Sequence, residues 1–291
     1  MGSPDFALPS LTAIIDEGFN VVGVATQPDK KKGRSKKVLP TPVKELALSK
    51  GIAVYEPKSL KTPDFVETLT SLKPDVVVVV AYGKILPKAV LEVAPLGCVN
   101  VHGSILPSLR GAAPVNWSII NGDDVTGVST MLLDEGMDTG AVFLESSTSI
   151  GADETAGELT VRLSTIGAEL LIETLKKLIA GDITAIAQDD NLATYAPILT
   201  KADGLIDWTL SSEVIVRRVR GLSPWPGTYT KLDGKKFTIH RAHSVDGAKA
   251  LGVSEAGTIL ECRDDTIVVR CGEGSLLIEE LQLEGKRRMP A

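Results

Sequence analysis

The chain holds only three histidines, so acid–base work by imidazole has few candidates. His240 and His243 fall on a polar, strand-like stretch late in the sequence and read as solvated side chains. His102 differs. It closes the run Cys98-Val99-Asn100-Val101-His102, which reads as a strand, and the two-residue period of a strand sets Asn100 and His102 on one face. Open α/β sheets bind their ligands at the carboxyl ends of such strands. An amide donor beside an imidazole can hold a carbonyl oxygen while it becomes an oxyanion, which points to acyl-type chemistry at carbon. The plainer alternative from spacing alone is that Asn100 caps the strand end and His102 is a satisfied polar residue.

A working imidazole needs a third group that fixes its tautomer and orientation. Asp134 and Asp138, in the turn Asp-Glu-Gly-Met-Asp-Thr-Gly, are both candidates, with Gly136 and Gly140 letting the backbone bend an acid into a cleft. Aspartate is equally a common turn residue. Between His102 and this turn runs Gly-Ser-Ile-Leu-Pro-Ser-Leu-Arg-Gly-Ala-Ala-Pro, a shaped loop that either lays backbone groups against a flat ligand or simply connects two elements. The cysteines Cys98, Cys262 and Cys271 have no metal-type spacing and are odd in number, as free thiols of a reduced compartment would be.

The elements that must position these residues alternate. Residues 20–27, 52–55 and 76–80 read as strands, separated by helices near 42–50 and 63–72, and the last of these strands carries five valines, as a strand buried on both faces does. Helices at 87–94 and 111–122 flank the Cys98–His102 strand, residues 128–150 read as two strands around the glycine-rich turn, and 153–180 is a long helix. This predicts an α/β fold with a doubly wound, mostly parallel sheet over residues 1–183. A polar connector over 184–200 leads to a small β-barrel domain over 201–291, where short alternating strands are cut by Asp-Gly, Asp-Asp and Gly-Glu-Gly turns. At the start, Ser3 reads as the N-cap of a helix with Pro4 at its first position and Gly18 as its stop, yet only Met1 precedes the turn where a strand should arrive.

With 291 residues, 43% hydrophobic and 23% charged, the chain suits one large and one smaller globular domain, and no apolar run approaches a membrane span. A net charge of −6 means that the protein as a whole repels polyanions. Any contact with nucleic acid must therefore use a local patch, and Lys30, Lys31, Lys32, Arg34, Lys36 and Lys37 form one.

The run from Asn100 to Pro114, followed by the turn 134–140, resembles the signature of the folate-dependent formyltransferases. The resemblance implies that Asn100, His102 and Asp138 form the active site and that Ser104, Ile105, Leu106 and Pro107 contact the folate. It also implies 10-formyltetrahydrofolate as co-substrate, no metal, and an OB-like barrel as the second domain. Gly-Ser-Pro-Asp-Phe at residues 2–6, the basic stretch 27–47, Tyr-Gly-Lys-Ile-Leu-Pro at 82–87 and Trp-Pro-Gly-Thr-Tyr-Thr at 225–230 resemble the branch that formylates initiator methionyl-tRNA. That branch implies tRNA contacts by the basic residues of 30–37, and a monomer in a bacterial-type cytoplasm is expected, an organelle being the other location; if neutralising 30–37 left the salt dependence unchanged, the contacts would lie elsewhere, on Arg217, Arg218 and Arg220. Rival readings are a formyltransferase acting on a nucleotide sugar or on glycinamide ribonucleotide, a non-catalytic RNA-binding protein, and an inactive fragment. Relatives carry a strand before Gly2 and a helix after the final residues, so both are expected to be lacking here. Ser108-Leu109 departs from the basic or aromatic pair that relatives often carry.

Overall fold

The structure is a computed structural model and describes residues 1–32, 37–245, 255–263 and 265–291. In chain order the elements are α1 (Leu8–Asp16), β1 (Val24–Ala25), β2 (Lys30–Lys32), β3 (Lys37–Leu39), α2 (Pro42–Ser49), β4 (Val54–Tyr55), α3 (Pro63–Ser71), β5 (Val77–Val80), α4 (Lys88–Leu91), β6 (Cys98–His102), β7 (Arg110–Gly111) and α5 (Pro114–Asn121). There follow β8 (Val125–Leu132), β9 (Val142–Ser149), α6 (Ala156–Ala180), β10 (Tyr195–Ala196), α7 (Ser212–Gly221), β11 (Thr228–Leu232), β12 (Lys235–Val245), β13 (Ile259–Arg263), β14 (Thr266–Arg270), β15 (Ser275–Leu283) and β16 (Met289–Pro290). They divide into two compact units, residues 1–114, 126–148 and 160–196 in the first and 115–125, 149–159 and 197–291 in the second.

In the first unit β5 and β6 pair in parallel, Val77 with Cys98 through Val80 with Val101. β8 then lies antiparallel on the other side of β6, with Val99 opposite Leu132 and His102 opposite Ser129, and the order runs β5-β6-β8-β9. β1 and β4 form a second parallel pair. Met1 and Gly2 lie against both groups: the Gly2 amide donates to Ala25 O at 3.0 Å, and the Val80 amide donates to Met1 O at 2.9 Å. A cavity of about 420 Å³ lies beside them, lined by Val22, Val24, Tyr55, Val76, Val78 and Ile179 among others.

Alternation along β6 sets the site. A side chain at Gly167 of α6 would come within 2.8 Å of Val101 Cγ1, so glycine lets this helix close onto the face that carries Val99 and Val101. Cys98 points the other way, its Sγ within 3.8 Å of Val90 O of α4. Asn100 and His102 share that second face, as the period predicts, and His102 comes where the strand ends.

Two local expectations are corrected. Ser3 caps no helix: the chain enters as a single 3₁₀ turn over Asp5–Ala7, with no side-chain cap at Pro4, before turning α-helical at Leu8. Its hydroxyl instead accepts the Gln27 amide at 3.1 Å, a donor that leaves the end of β1 without a ladder partner. The strand expected over 20–27 shrinks to Val24–Ala25, because an apolar run becomes a strand only where its backbone meets a partner. Capping by Thr41, whose hydroxyl accepts the Lys44 amide at 3.2 Å, and Pro42 in the first turn start α2 as such residues should.

In the second unit the strands form an antiparallel sheet of order β11-β12-β15-β14-β13, with β16 added along β15. Its core gathers Phe237, Ile239, Leu276 and Ile278 with Ile215 and Val219 of α7. Ser211 caps α7 by accepting the Val214 amide at 3.3 Å. Among the described residues no helix is long and apolar enough to cross a membrane.

Candidate active site

His102 is 6% exposed, and each ring nitrogen faces an oxygen. Nε2 lies 3.0 Å from the carbonyl oxygen of Leu109. A carbonyl can only accept, so this contact fixes the Nε2–H tautomer and leaves Nδ1 as the basic nitrogen. Nδ1 faces Asp138 Oδ2 at 3.7 Å, a separation at which the carboxylate acts on the ring as a charge rather than as a direct hydrogen-bond acceptor. The orientation of His102 is therefore set by a loop carbonyl, and its charged form would face an anion.

Of the two acids in the turn, the structure separates the roles. Asp134 is spent locally: its Oδ1 accepts the Gly136 amide at 3.0 Å and the Thr139 hydroxyl at 2.7 Å, as an aspartate that shapes a turn does. Asp138 points inward with its backbone left-handed at φ +56°, and its Oδ2 accepts the Gly111 amide at 2.8 Å. Gly140 cannot be replaced without movement, since a Cβ there would sit 1.8 Å from Leu132 O.

Asn100 is buried on the same face of β6, and its side-chain amide makes no hydrogen bond among the described residues. An unengaged amide beside a pinned imidazole is a donor available to a ligand. Ser104 and Leu106 are buried, the Ser104 hydroxyl donating to Ser108 O at 2.6 Å and the Leu106 amide donating to Ser129 Oγ at 3.0 Å. Ile105 and Pro107 are partly exposed.

The loop after His102 is held by residues that the sequence reading passed over. The Leu109 amide donates to Thr194 Oγ1 at 2.8 Å, the Arg110 amide to Thr194 O at 2.8 Å, and the Ala112 amide to Ala196 O at 2.9 Å. β7 and β10 pair in parallel through these contacts. Leu109 itself is left-handed at φ +59°, a strained setting for a leucine, and this turns its carbonyl onto His102. Arg110 is 2% exposed and donates through Nε and Nη2 to Gln188 Oε1 at 3.0 and 2.8 Å. The one signal in the sequence was that residues 188–196 are polar and aperiodic, which suits a segment whose partners are backbone groups elsewhere.

The basic stretch is a hairpin of β2 and β3, with Lys30 paired with Leu39, Lys31 with Val38 and Lys32 with Lys37. Arg34 and Lys36 lie outside the described residues.

A model of the formyl transferase family matches residues 1–175, and one of the formyl transferase C-terminal domain matches residues 198–291. The chain belongs to the formyltransferase family. Methionyl-tRNA formyltransferase of Citrifermentans bemidjiense is 50% identical over 291 residues, a match that covers 100% of this chain and 90% of that relative. The methionyl-tRNA formyltransferase of Geotalea daltonii is also 50% identical over 291 residues, with 100% and 92% covered. Among solved structures, the N-formyltransferase from Helicobacter canadensis in complex with folinic acid and dTDP-3-aminofucose aligns with a TM-score of 0.70 over 95% of this chain and 96% of its own. At 18% identity that likeness is one of fold. The chain is thus an enzyme of formyl transfer.

Proposed function

We propose that this enzyme transfers the formyl group of 10-formyltetrahydrofolate to the free amino group of methionyl initiator tRNA, forming N-formylmethionyl-tRNA for translation initiation. One observation carries the reading: an unengaged Asn100 amide, a His102 ring pinned by Leu109 O and a facing Asp138 carboxylate meet at the end of β6. They do so in a chain half identical over its length to methionyl-tRNA formyltransferases.

The acceptor needs little activation, because an α-amino group titrates at about 8 and a useful fraction is already the free nucleophile at neutrality. Its nitrogen attacks the formyl carbon, the new C–N bond forms, and the formyl oxygen becomes an oxyanion that the Asn100 amide holds by donation. The bond from carbon to the folate nitrogen then breaks. His102 takes the proton shed by the attacking nitrogen and returns it to the departing folate nitrogen, so no net proton is released. Asp138 faces the imidazolium while that proton is on the ring.

Ser104, Ile105, Leu106 and Pro107 form the wall on which the folate lies. Because Ser104 and Leu106 are engaged internally, the contact falls to Ile105, Pro107 and the loop backbone. The residues Lys30–Lys32, Arg34, Lys36 and Lys37 take tRNA phosphates. The hairpin pairs residues 30–32 with 37–39, which brings the two ends of the basic run side by side.

The test is an assay of purified enzyme with 10-formyltetrahydrofolate and charged initiator tRNA, beside uncharged tRNA and an amino-sugar nucleotide. Formylation of the charged tRNA alone is expected, with a rate that falls steeply with salt and a slope that flattens when the lysines of 30–37 are neutralised. Formylation of the sugar nucleotide alone, or none of any acceptor, would overturn the reading.

A further inference from the structure

Asp138 owes its inward position to a set of contacts that begins far away in sequence. Gln188 donates through Nε2 to Asp138 O at 2.9 Å and to Gly140 O at 2.7 Å, so both amide hydrogens grip the backbone of the turn. Its Oε1 accepts both Arg110 bonds, and Arg110 Nη2 also reaches Asp190 Oδ1 at 2.8 Å. Gly111, the next residue along the chain from Arg110, supplies the amide that holds the Asp138 carboxylate. The contacts therefore close on themselves: Arg110 to Gln188, Gln188 to the Asp138 backbone, and the Asp138 side chain back to Gly111. Every hydrogen-bonding position of the Gln188 amide is used.

This arrangement is costly unless it serves geometry. A guanidinium that is 2% exposed has been taken out of water, and its carboxylate partner Asp190 is itself 80% exposed. A left-handed aspartate persists only where surrounding contacts over-determine it. Only an amide can accept from Arg110 while donating twice to carbonyl oxygens.

We infer that Gln188, anchored by the buried guanidinium of Arg110, is a positioning residue that fixes the Asp138 turn so that its carboxylate faces His102. The inference rests on the reading of Asp138 as the partner of His102 in formyl transfer. Gln188 reaches the turn only through backbone carbonyl oxygens, those of Asp138 and Gly140. It acts through the backbone of the turn.

The experiment compares Gln188→Glu, Gln188→Met and Asp138→Asn in the full chain, with turnover expressed per folate-binding site. Gln188→Glu keeps an acceptor for Arg110 but loses the two donated bonds to the turn, and Gln188→Met loses both halves. Each is expected to lower kcat roughly ten- to hundredfold while leaving the KM for 10-formyltetrahydrofolate within about threefold, since a misplaced group harms the transition state more than ground-state binding. A merely structural role would lower the number of folate sites without changing turnover at each. Unchanged turnover per site in Gln188→Glu, however little of it folds, overturns the inference if Asp138→Asn is impaired. Unimpaired Asp138→Asn instead overturns the underlying reading of Asp138.

Discussion

His102 in the first unit and His240 and His243 in the second are the same side chain in opposite settings. The ring of His102 is buried, one nitrogen held by a backbone carbonyl and the other turned to a carboxylate. His240, on β12, meets the Gln282 side chain at 3.3 Å, and His243 meets Glu279 at 3.2 Å and Asp153 at 3.9 Å. Glu279 also accepts from Arg241 at 2.9 Å, so its charge is shared. Partners of the β12 histidines are surface side chains, which can be exchanged for water at little cost. Those of His102 belong to a loop and a turn that other segments hold by hydrogen bonds. A histidine suited to chemistry is distinguished here by the rigidity of what it touches.

The largest test of that contrast is catalytic. Asn100→Ala and His102→Ala are each expected to lower single-turnover formyl transfer by about a hundredfold or more, the usual cost of losing a preorganised donor. His240→Asn and His243→Asn should leave it within about twofold. A His243 variant as impaired as the His102 variant would erase the distinction between the two regions.

Next comes the backbone. Gly111 is left-handed at φ +124°, and a Cβ there would sit 2.7 Å from Ala196 O, whereas Gly234, in the turn between β11 and β12, has φ +78° and nothing within 4 Å. Gly234→Ala should cost about 1 kcal/mol, the conformational penalty alone. Gly111→Ala adds a clash with backbone and should cost about 2–4 kcal/mol in a denaturant melt, with turnover falling as the Asp138 contact loosens. Equal losses in the two variants would mean that the loop wall is no more tightly built than an open hairpin turn.

Much of this site could be seen in the sequence, and what could not has a physical reason. The period of two along 98–102 placed Asn100 and His102 together, and a glycine-rich turn offered two acids. Choosing between Asp134 and Asp138 on the residues alone was impossible, because either can make an Asx turn; the structure uses Asp134 for that and frees Asp138. The Leu109 carbonyl was invisible, since a backbone acceptor leaves no mark on residue type. Gln188 lies 78 positions from Arg110, and a polar segment gives no sign of which distant backbone it will bind. In the fold, alternation of strands and helices was plain, but the extent of each strand was not. Val22, read as part of a strand, is 37% exposed because hydrophobicity reports a preference for burial and not the presence of a ladder partner.

The smallest effect is a matter of protons. Partial burial pushes the pKa of His240 below its ordinary value, with the Gln282 bond opposing and the Arg288 charge assisting. The folded state therefore binds fewer protons at this site than the unfolded chain does, and stability must rise with pH across the range just below the ordinary histidine value of about 6.5. The contribution is fully present above that value and is lost as the pH falls through the lowered one. His240→Asn removes the titration. Its denaturation midpoint, relative to the parent protein, should therefore gain on going from about pH 7.5 to about pH 5. No gain in the His240 variant would mean that burial does not weaken proton binding by this ring.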